Sequence, residues 1–399
     1  MVEKIPVHRF DGTAIPARII SGPGSRARLA EEVAALGLKR VLVISGPRIR
    51  ADTPFVQEIE SLLSERLAGT FDQVEQHVPD TSLSKAADHA RQLRPDAVLS
   101  IGGGSAHDTA KAIAVAAPSS RTIADFASRF EPPGTFHRPA VDVVPLPVLT
   151  MPSTLSAAEV VGGGAFTETA SGRKLIFVHP KLTPSLVVLD GEVVASTPRV
   201  VLAASGMNAL HHCLEALCSK GAQPITDAFA LHAFGRLVEV LPALAPAAHA
   251  PGIGVFPAAL DAAAVSGLTY GNSWLGIGHA ICHVLGGRYG LSHGQANAVM
   301  IRHSVRFNLE HTAARLALAA QAAGAFFSPG QKELAAHHVV ALVDWLAERM
   351  RAPRTLRELG LPEGQFHAIA EDVMADPQTY WNPRPVTRDD VVTLLEQAW

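Results

Sequence analysis

The sequence predicts an α/β half with a mostly parallel sheet over residues 1–190, followed by an all-helical half over 191–399. Three observations carry this. Short apolar runs alternate with amphipathic segments through the first half. After "SLVVLD" (185–190) only helical patterns follow, broken by Gly and Pro. A glycine triplet stands between a strand and a helix in "LSIGGGSAHDTAKA".

Taken in order, "RARLAEEVAALG" reads as a helix ending at Gly37, and "RVLVIS" (40–45) as a buried strand. "PFVQEIESLLSERLAG" reads as a helix and "FDQVEQHV" as a strand. "LSKAADHARQL" is a helix, "DAVLSIGGG" a strand with a glycine end, and "AHDTAKAIAVAA" a helix. "PVLTMPSTLSAAE" ends a strand in a hydroxyl-rich loop. "GGAFTETASGRKLIFVH" reads as a hairpin turning at Ser171-Gly172. Thr197-Pro198 is an N-cap and first helical residue for the second half.

The chain has 399 residues, 48% of them apolar, which suits two domains with large cores. A net charge of -3 argues against nucleic acid as the partner. Cys213, Cys218 and Cys282 lie in apolar helical contexts, not in a disulfide framework, as suits a reducing cytosol. "MVEKIPVHRFDGT" has no apolar core of a signal peptide. The apolar tract 237–270 is broken by Pro242, Pro246, Pro251, Pro257 and Asp261, so buried helices are expected and no membrane partner.

Two clusters carry chemistry. Gly103 and Gly104 let the backbone approach a phosphate at a helix N-terminus, with Ser105 as cap and Asp108 three positions on. Ser153, Thr154 and Ser156 offer further donors at the next strand end. A tight turn with a capped helix is the plainer alternative. The second cluster is histidine-rich. Asn208 and His212 share a face at i and i+4, as do His279 and His283. His293 follows "GGRYGLS", where one helix should stop and another start. Three imidazoles from three helices suit a divalent metal, or else are satisfied core residues.

In order along the chain, "GGGSAHDTAKA", "PSTLSAAE", "SGMNALHHCLEA" and "GHAICHVLGGRYGLSHGQANAV" resemble the iron-containing alcohol dehydrogenase superfamily, and its maleylacetate reductase branch most. The tail "YWNPRPVT" is similar to that branch as well. The resemblance implies a Rossmann-like domain joined to a helical domain (the dehydroquinate synthase-like fold), NADH or NADPH in the cleft, and a cytoplasmic homodimer. It implies a reductase that takes the conjugated C=C of maleylacetate, a dicarboxylate, to 3-oxoadipate in aromatic compound degradation. The alternatives are a metal-dependent alcohol or aldehyde dehydrogenase, or a non-redox lyase or cyclase.

The family's three histidine ligands fall on His212, His279 and His293, and its aspartate ligand on Asn208. The resemblance thus leaves an iron or zinc site short of its anion, and a metal-free enzyme is expected. His283, His279 and His212 are then the catalytic candidates, and His293 and Asn208 polar groups of the substrate cleft. Asn297 and Arg302 depart from the branch pattern of histidine and proline. Lys174, Arg302 and Arg288 are candidate anchors for carboxylates by position, with Lys174 also close to the cofactor. After "RVLVIS" the chain reads Ser45-Gly46-Pro47, where many members carry an acid for the ribose. With Gly46 there and Arg48 and Arg50 beyond it, both nucleotides are expected to work.

Overall fold

A computed structural model describes residues 15–131, 135–249, 251–252 and 254–399. The N-terminal "MVEKIPVHRFDGT" lies outside the described residues. The strands are β1 (Ile19–Ser21), β2 (Val41–Ser45), β3 (Leu67–Phe71), β4 (Ala97–Gly102), β5 (Arg129–Glu131), β6 (Thr135–His137), β7 (Val148–Pro152), β8 (Gly163–Glu168), β9 (Arg173–Val178) and β10 (Leu186–Leu189). Six of them form one parallel sheet in the order β1-β10-β7-β4-β2-β3. The helices of this half are α1 (Leu29–Ala35), α2 (Pro47–Asp52), α3 (Phe55–Leu63), α4 (Asp80–Leu93) and α5 (Gly104–Ala116).

Both faces of this sheet are covered, which is why its strands read as unbroken apolar runs. Leu42, Ile44, Val98 and Val148 pack with residues of α4 and α5 on one face. Val41, Val43, Leu99, Ile101 and Met151 pack with α1 and α3 on the other. β8 and β9 form the antiparallel hairpin, with Gly172 at φ +68° in its turn. β5 and β6 pair antiparallel in a second small sheet that the sequence pattern did not mark.

From α6 (Gly191–Ala195) onward every regular element among the described residues is helical. α7 (Arg199–Cys218) is the central rod, packed by α8 (Pro224–Leu244), α9 (Val255–Ser273) and α11 (His293–Ala322). The approach of α7 to α8 requires Gly206, where a Cβ would stand 2.3 Å from Leu241 Cδ2. α10 (Ile277–Tyr289) and α11 pack against α13 (Phe366–Met374) and α15 (Arg388–Ala398) in a separate apolar cluster. α12 (Lys332–Arg349) lies along α11, and the short α14 (Gln378–Trp381) returns to the cleft. No helix among the described residues is long and apolar enough to cross a membrane.

Three local expectations need correction. The α-helix does not run on to Gly69; a 3-10 turn, Ser64–Arg66, follows it. α3 stops at Leu63, Ser64 takes φ +49°, and the strand is Leu67–Phe71, ahead of most of "FDQVEQHV". Leu-Ala-Gly-Thr has no alternating pattern, and its pairing with β2 makes it a strand. Ser105 does not cap α5, because Gly103 holds the N-cap position and Ser105 lies inside the first turn. Thr197 does not cap α7 either. Its hydroxyl donates to the Ser153 carbonyl at 2.7 Å, and Pro198 is the N-cap.

Candidate active site

The carboxyl ends of β2, β4 and β7 stand side by side, with Ser45 paired to Ile101 and Gly102 to Pro152. In open α/β sheets this edge is where ligands bind. A cleft opens here between the sheet edge and α7, α9, α10 and α11. Gly102 has φ +150°, and a Cβ there would lie 3.0 Å from Ala106 Cβ. Gly103 leaves its space to Thr154, whose side chain is 3.3 Å from where a Cβ would be. Gly103, Gly104, Ser105, Asp108, Thr154 and Ser156 all line the cleft. Asp108 turns away from the helix N-terminus and accepts from the Ala165 amide at 3.3 Å.

Ser153 does not line the cleft. It is a backbone junction, donating from its amide to the Gly102 carbonyl at 2.8 Å and accepting from Thr197. Gly46 caps α2, the turn that delivers Arg48 to the cleft, but is not itself a lining residue. Arg50 is drawn away by Glu60 at 2.5 Å, so one of these two arginines, Arg48, faces the cleft. Lys111, which no sequence motif singles out, is fully buried in α5. Its ammonium donates to the carbonyls of Ala158 (2.6 Å) and Gly163 (2.8 Å), which ties down the loop carrying Thr154 and Ser156. Burial brings its pKa down to about 8.

The helical wall carries Asn208 and His212 from α7, His279 and His283 from α10, and His293 from the first turn of α11. Gly290, at φ +66°, stops α10 so that α11 can begin at His293. The rings of His212 and His279 stack at 4.9 Å, and His293 lies 5.9 Å from both His279 and His283. Four polar atoms in this group have no protein partner: Asn208 Oδ1, His212 Nδ1, His279 Nε2 and His293 Nδ1.

Glu215, which spacing did not single out, organises the group. Its carboxylate accepts from the amides of Gly276 (3.0 Å), Gly278 (2.8 Å) and His279 (3.3 Å), and from His279 Nδ1 at 2.7 Å. Burial opposes its charge, yet His211 and His279 hold its pKa well below the ordinary carboxylate range. An ionised carboxylate only accepts, so His279 carries its proton on Nδ1 and presents a bare Nε2. Burial, reinforced by His211, takes the His279 pKa down to about 4.

His211 is not in the cleft. It lies behind the wall, 2.8 Å from Asn297 Oδ1 and 2.8 Å from Ser304 Oγ. Asn297 in turn reaches His293 Nε2 at 3.1 Å, so the asparagine links two histidines. Among the described residues, His211, Glu215 and His279 bring three ligand atoms within 4.8 Å of one another. Their hydrogen bonds already occupy Glu215 and both His211 nitrogens, which reads as a packed polar network rather than an ion site.

His283 is 12% exposed, and Asp376 accepts from its Nδ1 at 2.8 Å. Asp376 comes from the loop before α14, far away in sequence with no local signal. Lys174 on β9 lines the cleft. Burial pulls its pKa down and Asp108 and Asp376 oppose that. Arg302 is misplaced by the sequence reading. It faces away from the cleft, and its charged neighbours are Asp344, Arg306, Glu348 and Arg354. Counting onward from His293 puts it on the same helix but not on the cleft face. Arg302→Ala is therefore expected to leave both turnover and the Michaelis constant within about twofold; a tenfold rise in the constant would restore it to the site. Arg288 is likewise spent on Asp372, at 2.5 Å on the surface.

This architecture defines a dinucleotide-type sheet edge facing a polar helical wall. The family profile "Iron-containing alcohol dehydrogenase" matches residues 16–191, and "Fe-containing alcohol dehydrogenase family, C-terminal" matches 202–399. Maleylacetate reductase 2 of Cupriavidus pinatubonensis is 31% identical over 96% of this chain and 95% of its own. The NAD-dependent methanol dehydrogenase of Bacillus methanolicus is 30% identical over 96% and 98%. A crystal structure of 1,3-propanediol oxidoreductase superposes with a TM-score of 0.88 at 28% identity, covering 98% of this chain and 100% of that one. The chain belongs to the iron-containing alcohol dehydrogenase family and is an oxidoreductase.

Proposed function

We propose that this protein uses a reduced nicotinamide dinucleotide to reduce a small conjugated carbonyl compound bearing carboxylates, with maleylacetate, taken to 3-oxoadipate, as the leading substrate. The observation that carries the reading is the His283–Asp376 pair next to Lys174 at the cleft. It supplies a proton donor and a cation where an anionic substrate needs both. The similarity to a maleylacetate reductase supports the same reading.

In this scheme the glycine turn and the loop of Thr154 and Ser156 hold the dinucleotide. Hydride adds to one carbon of the C=C bond and the electron pair moves onto the conjugated carbonyl. The resulting enolate takes a proton at the other carbon. His279 is neutral and bare at Nε2, so it accepts and does not donate. The proton therefore falls to His283, whose ring Asp376 orients through Nδ1 at 2.8 Å. Lys174 draws a substrate carboxylate into the cleft.

The family's name implies iron. The four buried atoms without partners come from residues lining one cleft, and this set suits a divalent ion once the His212 and His293 rings turn a bare nitrogen toward it, since each Nε2 now accepts from an asparagine amide. His212, His279, His293 and Asn208 would hold it, and it would supply Lewis-acid polarisation of a substrate oxygen. The expectation of a metal-free enzyme gains no support from this donor set. That set, and the similarity to a methanol dehydrogenase, favour a second reading as a metal-dependent alcohol or aldehyde dehydrogenase.

The test is oxidation of NADH and of NADPH with maleylacetate and with a panel of simple aldehydes. Turnover is expected with maleylacetate. Because no carboxylate ends β2 and Arg48 faces the cleft, both nucleotides should work within about tenfold, roughly 1.4 kcal/mol. Good reduction of aldehydes with none of maleylacetate would replace this reading with the second.

A further inference from the structure

Another arm of the cleft has no role in this scheme. The Tyr270 ring lies 4.3 Å from that of His212, tilted by 39°, and α9 ends three residues later. Trp274 follows with φ +64° and ψ 179°, a backbone region occupied almost only by glycine. A bulky residue persists there only where its surroundings over-determine it. The Trp274 indole lies parallel to that of Trp381, with centroids 5.9 Å apart and planes 2° apart. Phe136 packs on Trp274 at 5.0 Å. Both tryptophans line the cleft.

This aromatic wall has a cation at each end. The Arg138 guanidinium stands 5.8 Å from the Phe136 ring. At the other end Tyr380 meets Trp381 edge-on at 5.1 Å, and Lys220 Nζ lies 5.5 Å from the Tyr380 ring while donating to the Tyr380 carbonyl at 2.9 Å. Arg138 and Lys220 line the same cleft, and neither has a carboxylate partner among the described residues. A small aliphatic alcohol would leave these indole faces and both charges unused.

We propose that this arm is a subsite for a flat conjugated or aromatic group carrying a carboxylate. The flat group stacks on the indole faces and the carboxylate meets Lys220 or Arg138. The proposal concerns ligand binding and stands apart from the reductase reading. The test is calorimetric titration of the full-length protein with three probes. These are trans-cinnamate (flat and anionic), cyclohexanecarboxylate (anionic, not flat) and cinnamyl alcohol (flat, uncharged). Cinnamate should bind at least about tenfold more tightly than either of the others.

Trp274→Gly and Trp381→Leu should each weaken cinnamate by about tenfold. Glycine takes the Trp274 backbone conformation without strain, and circular dichroism melts of both tryptophan variants separate a lost stack from a lost fold. Lys220→Met should weaken cinnamate and leave cinnamyl alcohol unchanged. Equal affinities for the three probes, or unchanged binding in both tryptophan variants, would overturn the proposal. Binding is read without turnover. A protein that prefers cinnamate in this way and yet oxidises no reduced nicotinamide would support the arm and sink the reductase reading alone.

Discussion

Glu215→Ala is expected to cost about 3–5 kcal/mol of stability, the scale for breaking a buried charged network by removing one partner. The side chain is 6% exposed and satisfies three backbone amides and the His279 ring at once. Its removal leaves those donors buried without acceptors, each at a cost of about 1–3 kcal/mol before relaxation. Glu215→Gln separates structure from chemistry. The amide keeps the shape and one acceptor oxygen, but it turns donors toward groups that themselves donate. It also no longer fixes the proton of His279 on Nδ1. Turnover should fall about 10–100-fold while the melting temperature falls far less than in the alanine variant. Circular dichroism melts and steady-state kinetics on both variants check this. A glutamine variant with unchanged turnover would show that the His279 tautomer does not matter.

Much of this molecule can be read from residue spacing. Strand ends at Ser45, Gly102 and Pro152 follow from apolar runs closed by Gly, Pro or Ser, and the paired helix positions 208/212 and 279/283 follow from the helical repeat. What spacing does not show is the support behind the first layer of side chains. Glu215 lies three residues past His212, on an apolar helix where a lone glutamate is easily taken for surface. Only the close approach of α10 explains it: a Cβ at Gly278 would lie 2.4 Å from His211 Cε1 and 2.9 Å from Glu215 Oε1. Asp376 reaches His283 across 93 residues of chain. Arg302 shows the converse error. It follows the histidine motif in sequence but belongs to the face of α11 that meets α12. Proximity along a helix of 30 residues says little about which side a residue serves.

The largest effect on ligand binding is expected from Asn208→Asp. Asn208 is 3% exposed, with its Oδ1 unpartnered and its Nδ2 3.3 Å from His212 Nε2. A divalent ion held by three neutral imidazoles and an amide keeps its whole charge in a buried site. Exchanging the amide for a carboxylate places an anion in contact with that charge, and carboxylate is the stronger ligand type. Zinc affinity, read by calorimetric titration, should rise about 100-fold, roughly 2.7 kcal/mol. Without metal the sign reverses. A carboxylate buried beside His212 without a cation is costly, and burial already disfavours the charged imidazolium that would neutralise it. The metal-stripped variant should therefore melt below the parent protein, and the zinc-loaded variant above the zinc-loaded parent, since a ligand that binds only the folded state stabilises by mass action. Equal zinc affinities for the two proteins would mean that Asn208 Oδ1 does not face the cation. The four unpartnered atoms would then be read as donors and acceptors for substrate.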